Sequence, residues 1–369
     1  MDQNSMKARL DTLGRHDSGD KTPCAPIYET WALPLLAAWP KVLSVIDGGI
    51  PDPEVVELFP TNHCNLKCPH CRFRMVHGDR SQHMSLTTFE TLLGELSTRG
   101  VNRLELSGGG EPLDHPNALD MFALIHDRKF RVGLITNAYA LVDNPMLTDA
   151  VSMCADWIRV SVDGFTDATY RKVHGKNGLQ FQALREVIQH LATQPRGQPQ
   201  VGVKMLISRL NANDVELAIP IGLELGAHYM QFKFLGFPTE LALSDEHQQS
   251  LSDALLLQMA EYSGSPMRIE MVPPFSGEKT RERCLMTFLH PVIDWDGSIY
   301  LCAFFEHRMQ EHSIGNIKDG GFFRHWDASK HRDAFDAIDP MTCLPNCPMR
   351  RYSPLIEFIV RNDFRKGYI

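Results

Sequence analysis

From residue 54 onward the chain sets short apolar runs against longer segments in which apolar residues recur every three or four positions. The short runs predict strands at "VVELFP" (55–60), "RLELSG" (103–108), "RVGLIT" (131–136), "WIRVSV" (157–162), "QVGVKMLI" (200–207) and "YMQFKF" (229–234). Between the first two, Leu86, Phe89, Leu92, Leu93 and Leu96 share one helical face, with Ser85 or Thr87 as N-cap and Gly100 as the stop. Further helices fit 117–129, 144–154, 180–193, 213–225 and 245–262. Six strand–helix units in succession predict an α/β fold with a parallel sheet, either open or curled into a barrel. In both cases functional residues collect at the carboxyl ends of the strands. After about residue 263 the rhythm stops. There "VPPFSGEKTRER" (272–283) reads as a connector, and "HPVIDWDGSIYLCAF" as a hairpin turning at Asp296-Gly297. Residues 1–50 read as a helical extension with a disordered start.

Composition narrows the partners. The 369 residues suffice for a large core and a smaller second domain. A net charge of −8 without a dense Lys/Arg run argues against nucleic acid or an anionic membrane. The most apolar stretch, "WALPLLAAWP" (31–40), is too short to span a bilayer and contains Pro34 and Pro40. Residues 1–25 are polar and do not form a signal peptide, so the expected location is the cytoplasm. In that compartment nine cysteines point to metal or redox chemistry before disulfides.

Three of those cysteines, Cys64, Cys68 and Cys71, lie in "TNHCNLKCPHC", directly after the first strand. Zinc accepts such spacing, with His63, His70 or His77 as a fourth ligand. A cubane iron–sulfur cluster held by three thiolates, with one iron lacking a protein ligand, is the other reading. The second strand ends in "SGGGEP" (107–112), a glycine-rich turn without the Gly-Lys-Ser/Thr of a phosphate loop. Glu111 would repel a phosphate, and it suits a ligand that presents an ammonium group.

Cys-x3-Cys-x2-Cys after strand one and Gly-Gly-Glu-Pro after strand two together resemble the radical S-adenosylmethionine superfamily. The resemblance implies a partial (β/α)6 TIM-like barrel over residues 51–265. It implies a 4Fe–4S cluster on Cys64, Cys68 and Cys71 whose open iron chelates S-adenosylmethionine. Gly109, Gly110, Glu111 and Pro112 would hold the methionyl amine. Asn137 in "ITNA" resembles the family's third-strand motif. Ser161 and Asp163 in "RVSVDG" resemble the fourth, where Ser161 would reach the methionyl carboxylate or ribose. A strand-end cap and an Asp-Gly turn are the plainer readings of these last positions. Many relatives carry an aromatic residue just before the third cysteine and an Arg before the glycine of a later helix. Here His70 and His174 stand in those places, which leaves the adenine and carboxylate contacts open.

Cys284, Cys302, Cys343 and Cys347 form a second set, able to complete a site for zinc or for a 4Fe–4S cluster. Their placement around the hairpin, with "SIGNI" (313–317) following, resembles the shortened SPASM ("Twitch") auxiliary-cluster domain. This implies a small α+β domain over 266–369 and one auxiliary 4Fe–4S cluster. Cys154 reads as a small buried hydrophobe, and Cys24 has no assigned role. A substrate would enter between the two cysteine sets, where Lys204, Gln231 and Lys233 alternate onto strand faces and are candidate contacts. Outward snorkelling is the plainer reading of the lysines.

The expected function is radical chemistry on a small polar metabolite (a sugar, aminocyclitol or nucleoside), with a flavodoxin- or ferredoxin-type electron donor. A peptide maturase is the alternative, although residues 1–50 are short for the winged-helix module that such enzymes often carry. A zinc-stabilised binding protein without catalysis would leave Gly109 to Glu111 without a role.

Overall fold

The computed structural model describes residues 38–76, 80–194, 199–236, 238–272, 283–304, 309–343, 347 and 349. Cys24, His77 and most of the expected connector at 272–283 lie outside them. Helix α1 (Trp39–Ile46) precedes strand β1 (Val56–Leu58), and the short α2 (Arg72–Val76) follows the first cysteine loop. Then α3 (Leu86–Thr98), β2 (Arg103–Leu106), α4 (Ala118–Asp127), β3 (Arg131–Thr136), α5 (Pro145–Cys154) and β4 (Ala155–Ser161) alternate. Two helices, α6 (Asp167–His174) and α7 (Phe181–Ala192), lead to β5 (Gln200–Ile207). Next come α8 (Val215–Glu224), β6 (Tyr229–Phe234), α9 (Asp245–Glu261) and β7 (Arg268–Val272). Among the described residues no helix is long and apolar enough to cross a membrane.

Strands β1 to β7 are parallel and adjacent in chain order, giving the partial barrel. The rhythm runs one strand further than the apolar pattern predicts. β7 is an edge strand in which Arg268 and Glu270 alternate with Ile269 and Met271, so no apolar run announces it. It pairs with β6, beyond the 265/266 division drawn from the sequence. The carboxyl-terminal hairpin, β8 (Val292–Ile293) and β9 (Ser298–Tyr300), joins the same sheet. β8 lies parallel to β1, and β10 (Ser313–Asn316) pairs antiparallel with β9. Gly297 turns the hairpin at φ +91°, as the Asp-Gly signal requires. Helices α10 (Met309–His312), α11 (Phe322–Trp326) and α12 (Ser329–Ala337) complete this part.

Along the central strands one face is apolar and the other polar. Val56, Leu58, Leu104, Leu106, Ile158, Val160, Val203, Met205 and Phe232 belong to the main core with Phe89, Leu92, Leu93 and Leu96 of α3. Ser85 caps α3, accepting from the Thr88 amide at 3.1 Å. The intervening positions, among them Glu57, Glu105, Arg159, Ser161, Lys204, Gln231 and Lys233, must point to the opposite, inner face. A parallel sheet covered on both faces by hydrocarbon would read as unbroken apolar runs. This alternation therefore marks a polar barrel interior.

Two glycines make room on paired strands. Gly133 lies opposite Trp157 and Gly202 opposite Tyr229, and a β-carbon at either would fall 2.0 Å from a ring carbon. Gly202→Ala should therefore lower stability by about 1–3 kcal/mol through overpacking. Gly264→Ala, where nothing lies within 4 Å, should change it by less than about 0.5 kcal/mol. Paired chemical denaturation curves check both.

Candidate active site

The first cysteine loop is pinned on three sides. Thr61 Oγ1 lies 2.9 Å from the Gln82 carbonyl and accepts from the His63 amide, and Asn62 Oδ1 accepts from the Gln82 amide at 2.8 Å. Arg80 donates to the carbonyls of Asn62 and Gly109 at 3.1 and 3.2 Å, joining the cysteine loop to the glycine turn. The Lys67 amide donates to the His174 carbonyl at 2.9 Å. Gly175 follows with φ +61°, and a β-carbon there would lie 2.2 Å from the Lys67 carbonyl oxygen, so a side chain is excluded. Phe73 of α2 packs edge-on against Phe59 at 5.2 Å, beside Val292 and Tyr300 of the hairpin.

Cys64, Cys68 and Cys71 are half-buried and electrostatically coupled. Burial pushes the Cys64 thiol up to about 12, with the charges of Glu111, Asp114 and Cys71 adding to it. Burial, then Cys64 and Cys71, raise Cys68 well above the ordinary thiol range. Three thiolates so close are disfavoured on their own and favoured around a positively charged metal centre. This donor set fits an iron–sulfur cluster. His174 places Nδ1 3.2 Å from the Cys68 sulfur and Nε2 2.9 Å from the Val162 carbonyl. Burial lowers its pKa against the opposing charge of Asp163.

The glycine turn meets this loop at van der Waals contact. A β-carbon at Gly110 would sit 2.0 Å from the His63 carbonyl oxygen, to which the Glu111 amide donates at 2.7 Å. Pro112 opens a 3₁₀ turn (Pro112–Asp114) behind it. The Glu111 carboxyl is 3% exposed. It accepts from Thr136 Oγ1 at 2.5 Å, the Asn137 amide at 2.7 Å and the Leu113 amide at 3.1 Å. Burial raises it to about 7 even though these bonds favour the anion. An ammonium group brought alongside would restore the charged form. Asn137 Nδ2 donates to Asn65 Oδ1 at 2.9 Å, and the Asn65 amide donates to Asp114 at 2.6 Å.

Asp163, with φ +56°, turns the chain after β4. Its carboxylate lies 3.6 Å from His70 Nε2 and accepts from the Leu206 amide at 2.6 Å. Burial alone would raise it. The nearby His70 and the charge of Lys204 outweigh burial and hold it at about 2. Ser161 stands in register with Lys204, Lys204 with Gln231, and Leu206 with Lys233. Burial lowers the Lys204 pKa despite Asp163. Burial, then Lys204 and Arg72, lower Lys233 to about 7. Lys233 Nζ lies 6.0 Å from the Phe304 ring centre and the Arg72 guanidinium 4.4 Å. Lys204 thus stands within electrostatic reach of Asp163, and Lys233 of Cys347.

There Cys284, Cys302, Cys343 and Cys347 line one pocket together with His290 and His312. Burial, then the Cys347 and Cys343 charges, push Cys284 up to about 12. Ala38 and Val42 at the start of α1 pack on Leu289, Cys347 and Met349. No described cysteine forms a disulfide. Cys154 packs on the main core with its thiol 3.5 Å from the Phe122 carbonyl, remote from both sets. Motif reading missed Thr136, Asp114 and Arg72. Thr136 and Arg72 adjoin motif residues, which was the available signal.

Residues 58–198 match the radical SAM superfamily, and residues 284–348 match an iron–sulfur cluster-binding domain, SPASM. The tungsten-containing aldehyde ferredoxin oxidoreductase cofactor-modifying protein of Pyrococcus furiosus is 23% identical over 318 residues, 82% of this chain and 88% of that one. PqqA peptide cyclase of Ruegeria pomeroyi is 24% identical over 232 residues, 61% of this chain and 60% of that one. The structure of Streptococcus suis SuiB bound to precursor peptide SuiA shares the fold at a TM-score of 0.62 and 12% identity, over 88% of this chain and 76% of that one. With both cysteine sets assembled inside the two matched domains, the chain is a member of the radical SAM superfamily with a carboxyl-terminal SPASM domain, and its cofactors are 4Fe–4S clusters and S-adenosylmethionine.

Proposed function

We propose that this enzyme performs an oxidoreductase- or lyase-type radical reaction on a small polar metabolite that carries an anionic group. A sugar, aminocyclitol or nucleoside derivative fits, in the cytoplasm and with a flavodoxin- or ferredoxin-type protein as electron donor. Cys64, Cys68 and Cys71 would hold the cluster, which would supply the electron for reductive cleavage of S-adenosylmethionine and so a 5′-deoxyadenosyl radical able to take hydrogen from substrate. Glu111 binds the methionyl ammonium, with Thr136, the Leu113 amide and the Asn137 amide fixing the carboxylate that receives it. Gly110, flanked by Gly109 and Pro112, lets the turn approach the cysteine loop. Asn137 and Ser161 orient the remaining polar groups of the cofactor. Asp163 holds His70 at the rim. Cys284, Cys302, Cys343 and Cys347, which line one pocket, would hold the auxiliary cluster, which would supply an electron acceptor.

The observation that carries the substrate class is the cationic lining. Burial, then the charges of Arg159 and Arg72, lower the Lys204 pKa against the pull of Asp163, and burial, then Lys204 and Arg72, lower that of Lys233. Cations gathered in a partly dry cavity are stabilised by an anion bound among them. Gln231, 7% exposed, adds a hydrogen-bonding group to the same face. Similarity to a peptide cyclase and to a peptide-bound fold neighbour favours a second reading, a peptide maturase.

Reduced, reconstituted enzyme should release 5′-deoxyadenosine from S-adenosylmethionine, and Cys68→Ala should release none. Glu111→Gln should weaken S-adenosylmethionine binding by about 10- to 100-fold, the loss of one charge-assisted contact. Lys233→Gln should cut turnover of an accepted anionic metabolite by about tenfold or more while uncoupled 5′-deoxyadenosine release persists. Deuterium transfer from labelled metabolites or peptides into 5′-deoxyadenosine separates the two readings. Transfer from peptides alone would overturn the first.

A further inference from the structure

Below the glycine turn, the inner face of the sheet holds three groups that the radical chemistry leaves unused. Glu57 of β1 and Glu105 of β2 are direct register partners, 5% and 0% exposed. Like charges opposite each other on paired strands repel, and each buried carboxylate forgoes several kcal/mol of hydration unless a cation or proton compensates. Ser107 Oγ donates to Glu57 Oε1 at 2.5 Å, leaving Oε2 turned toward His290. His290, just before β8, is 5% exposed, and its Nε2 lies 3.5 Å from that oxygen without forming a hydrogen bond. Burial pushes its pKa down to about 4, so the imidazole is neutral. One donor atom from each of the three residues lies within 4.8 Å of the other two.

We propose that Glu57, Glu105 and His290 bind one divalent transition-metal ion, such as Mn²⁺ or Zn²⁺, at a site separate from both iron–sulfur clusters. Two carboxylates and a neutral imidazole form a borderline-hard donor set. It suits Mn²⁺, Zn²⁺ or Fe²⁺, whereas clusters select thiolates and Ca²⁺ wants six or more oxygens. Metal–ligand bonds of about 2.0–2.2 Å hold neighbouring donors roughly 3–3.5 Å apart, so the trio closes by about an ångström of side-chain movement. The Ser107 hydroxyl, holding Glu57 Oε1, orients the carboxylate for binding through Oε2. The ion ties three segments that are distant in sequence. These are β1, the strand that leads into the glycine turn, and the segment entering the carboxyl-terminal hairpin. His290 also lines the four-cysteine pocket, so the ion braces the barrel against the auxiliary domain.

The test uses full-length protein with both clusters loaded, treated with chelator, desalted, and titrated separately with MnCl₂ and ZnCl₂. The expected result is one equivalent of bound Mn²⁺ or Zn²⁺ per chain beyond cluster iron, and a raised thermal midpoint. Glu105→Gln should bind at least tenfold more weakly with its cluster absorbance unchanged. Pulsed EPR of bound Mn²⁺ should detect one ¹⁴N coupling in the wild type, a reading that needs no variant. The proposal is overturned if neither metal is retained, if Mn²⁺ binds without nitrogen coupling, or if a folded Glu105→Gln protein binds as the wild type does. A Glu57–Glu105 pair that simply shares a proton predicts the first of these.

Discussion

One buried carboxylate holds the cofactor end of this barrel together. Glu111 has given up its water and accepts hydrogen bonds from Thr136 and Asn137 at the end of β3 and from the Leu113 amide in its own turn. Its backbone amide is bonded to His63 in the cysteine loop. Three segments are thereby fixed around a single negative charge. Burial disfavours that charge until a cation arrives. The site is thus organised for a ligand bearing an ammonium group, and Gly110 allows the two loops the contact they need.

The two halves of the protein are joined more closely than their order in the chain implies. β8 extends the barrel sheet directly from β1, so the hairpin between Cys284 and Cys302 rests on the strand that launches the first cysteine loop. Glu95 of α3 accepts from the Phe322 amide at 2.7 Å, and Arg99 reaches Asp52 and Asp327. Trp326 donates to the Pro51 carbonyl at 2.9 Å. Arg72, one residue past Cys71, stacks on Phe304, two residues past Cys302.

Much of this was legible from the chain because its signals are local. β3, β5 and β6 fall on the residues their apolar runs mark, and Ser85 caps α3 as its type and place imply. The cysteine triplet and Gly109–Pro112 are contiguous, so their chemistry survives without coordinates. What escaped is non-local or chemically ordinary. β7 carries charges at alternate positions, and its partners in β6 lie 39 positions earlier, as in Tyr229 opposite Arg268. Thr136 has no motif of its own, and only the fold brings it to Glu111. Glu57, Glu105 and His290 are separated by 48 and 185 positions, and they meet only because β8 folds back onto β1. Lys204 and Gln231 become neighbours only through the β5–β6 register, and they alternate with the core residues Val203, Met205 and Phe232.

The central claim is that the three-thiol set keeps an iron open to S-adenosylmethionine while the four-thiol set is closed. EPR of the anaerobically reduced enzyme, recorded with and without S-adenosylmethionine, tests it most directly. The account predicts two 4Fe–4S signals, of which one shifts on adding S-adenosylmethionine and disappears in Cys64→Ala. A zinc-loaded protein without cluster signals, or a shift that survives in Cys64→Ala and is lost in Cys347→Ala, would contradict it.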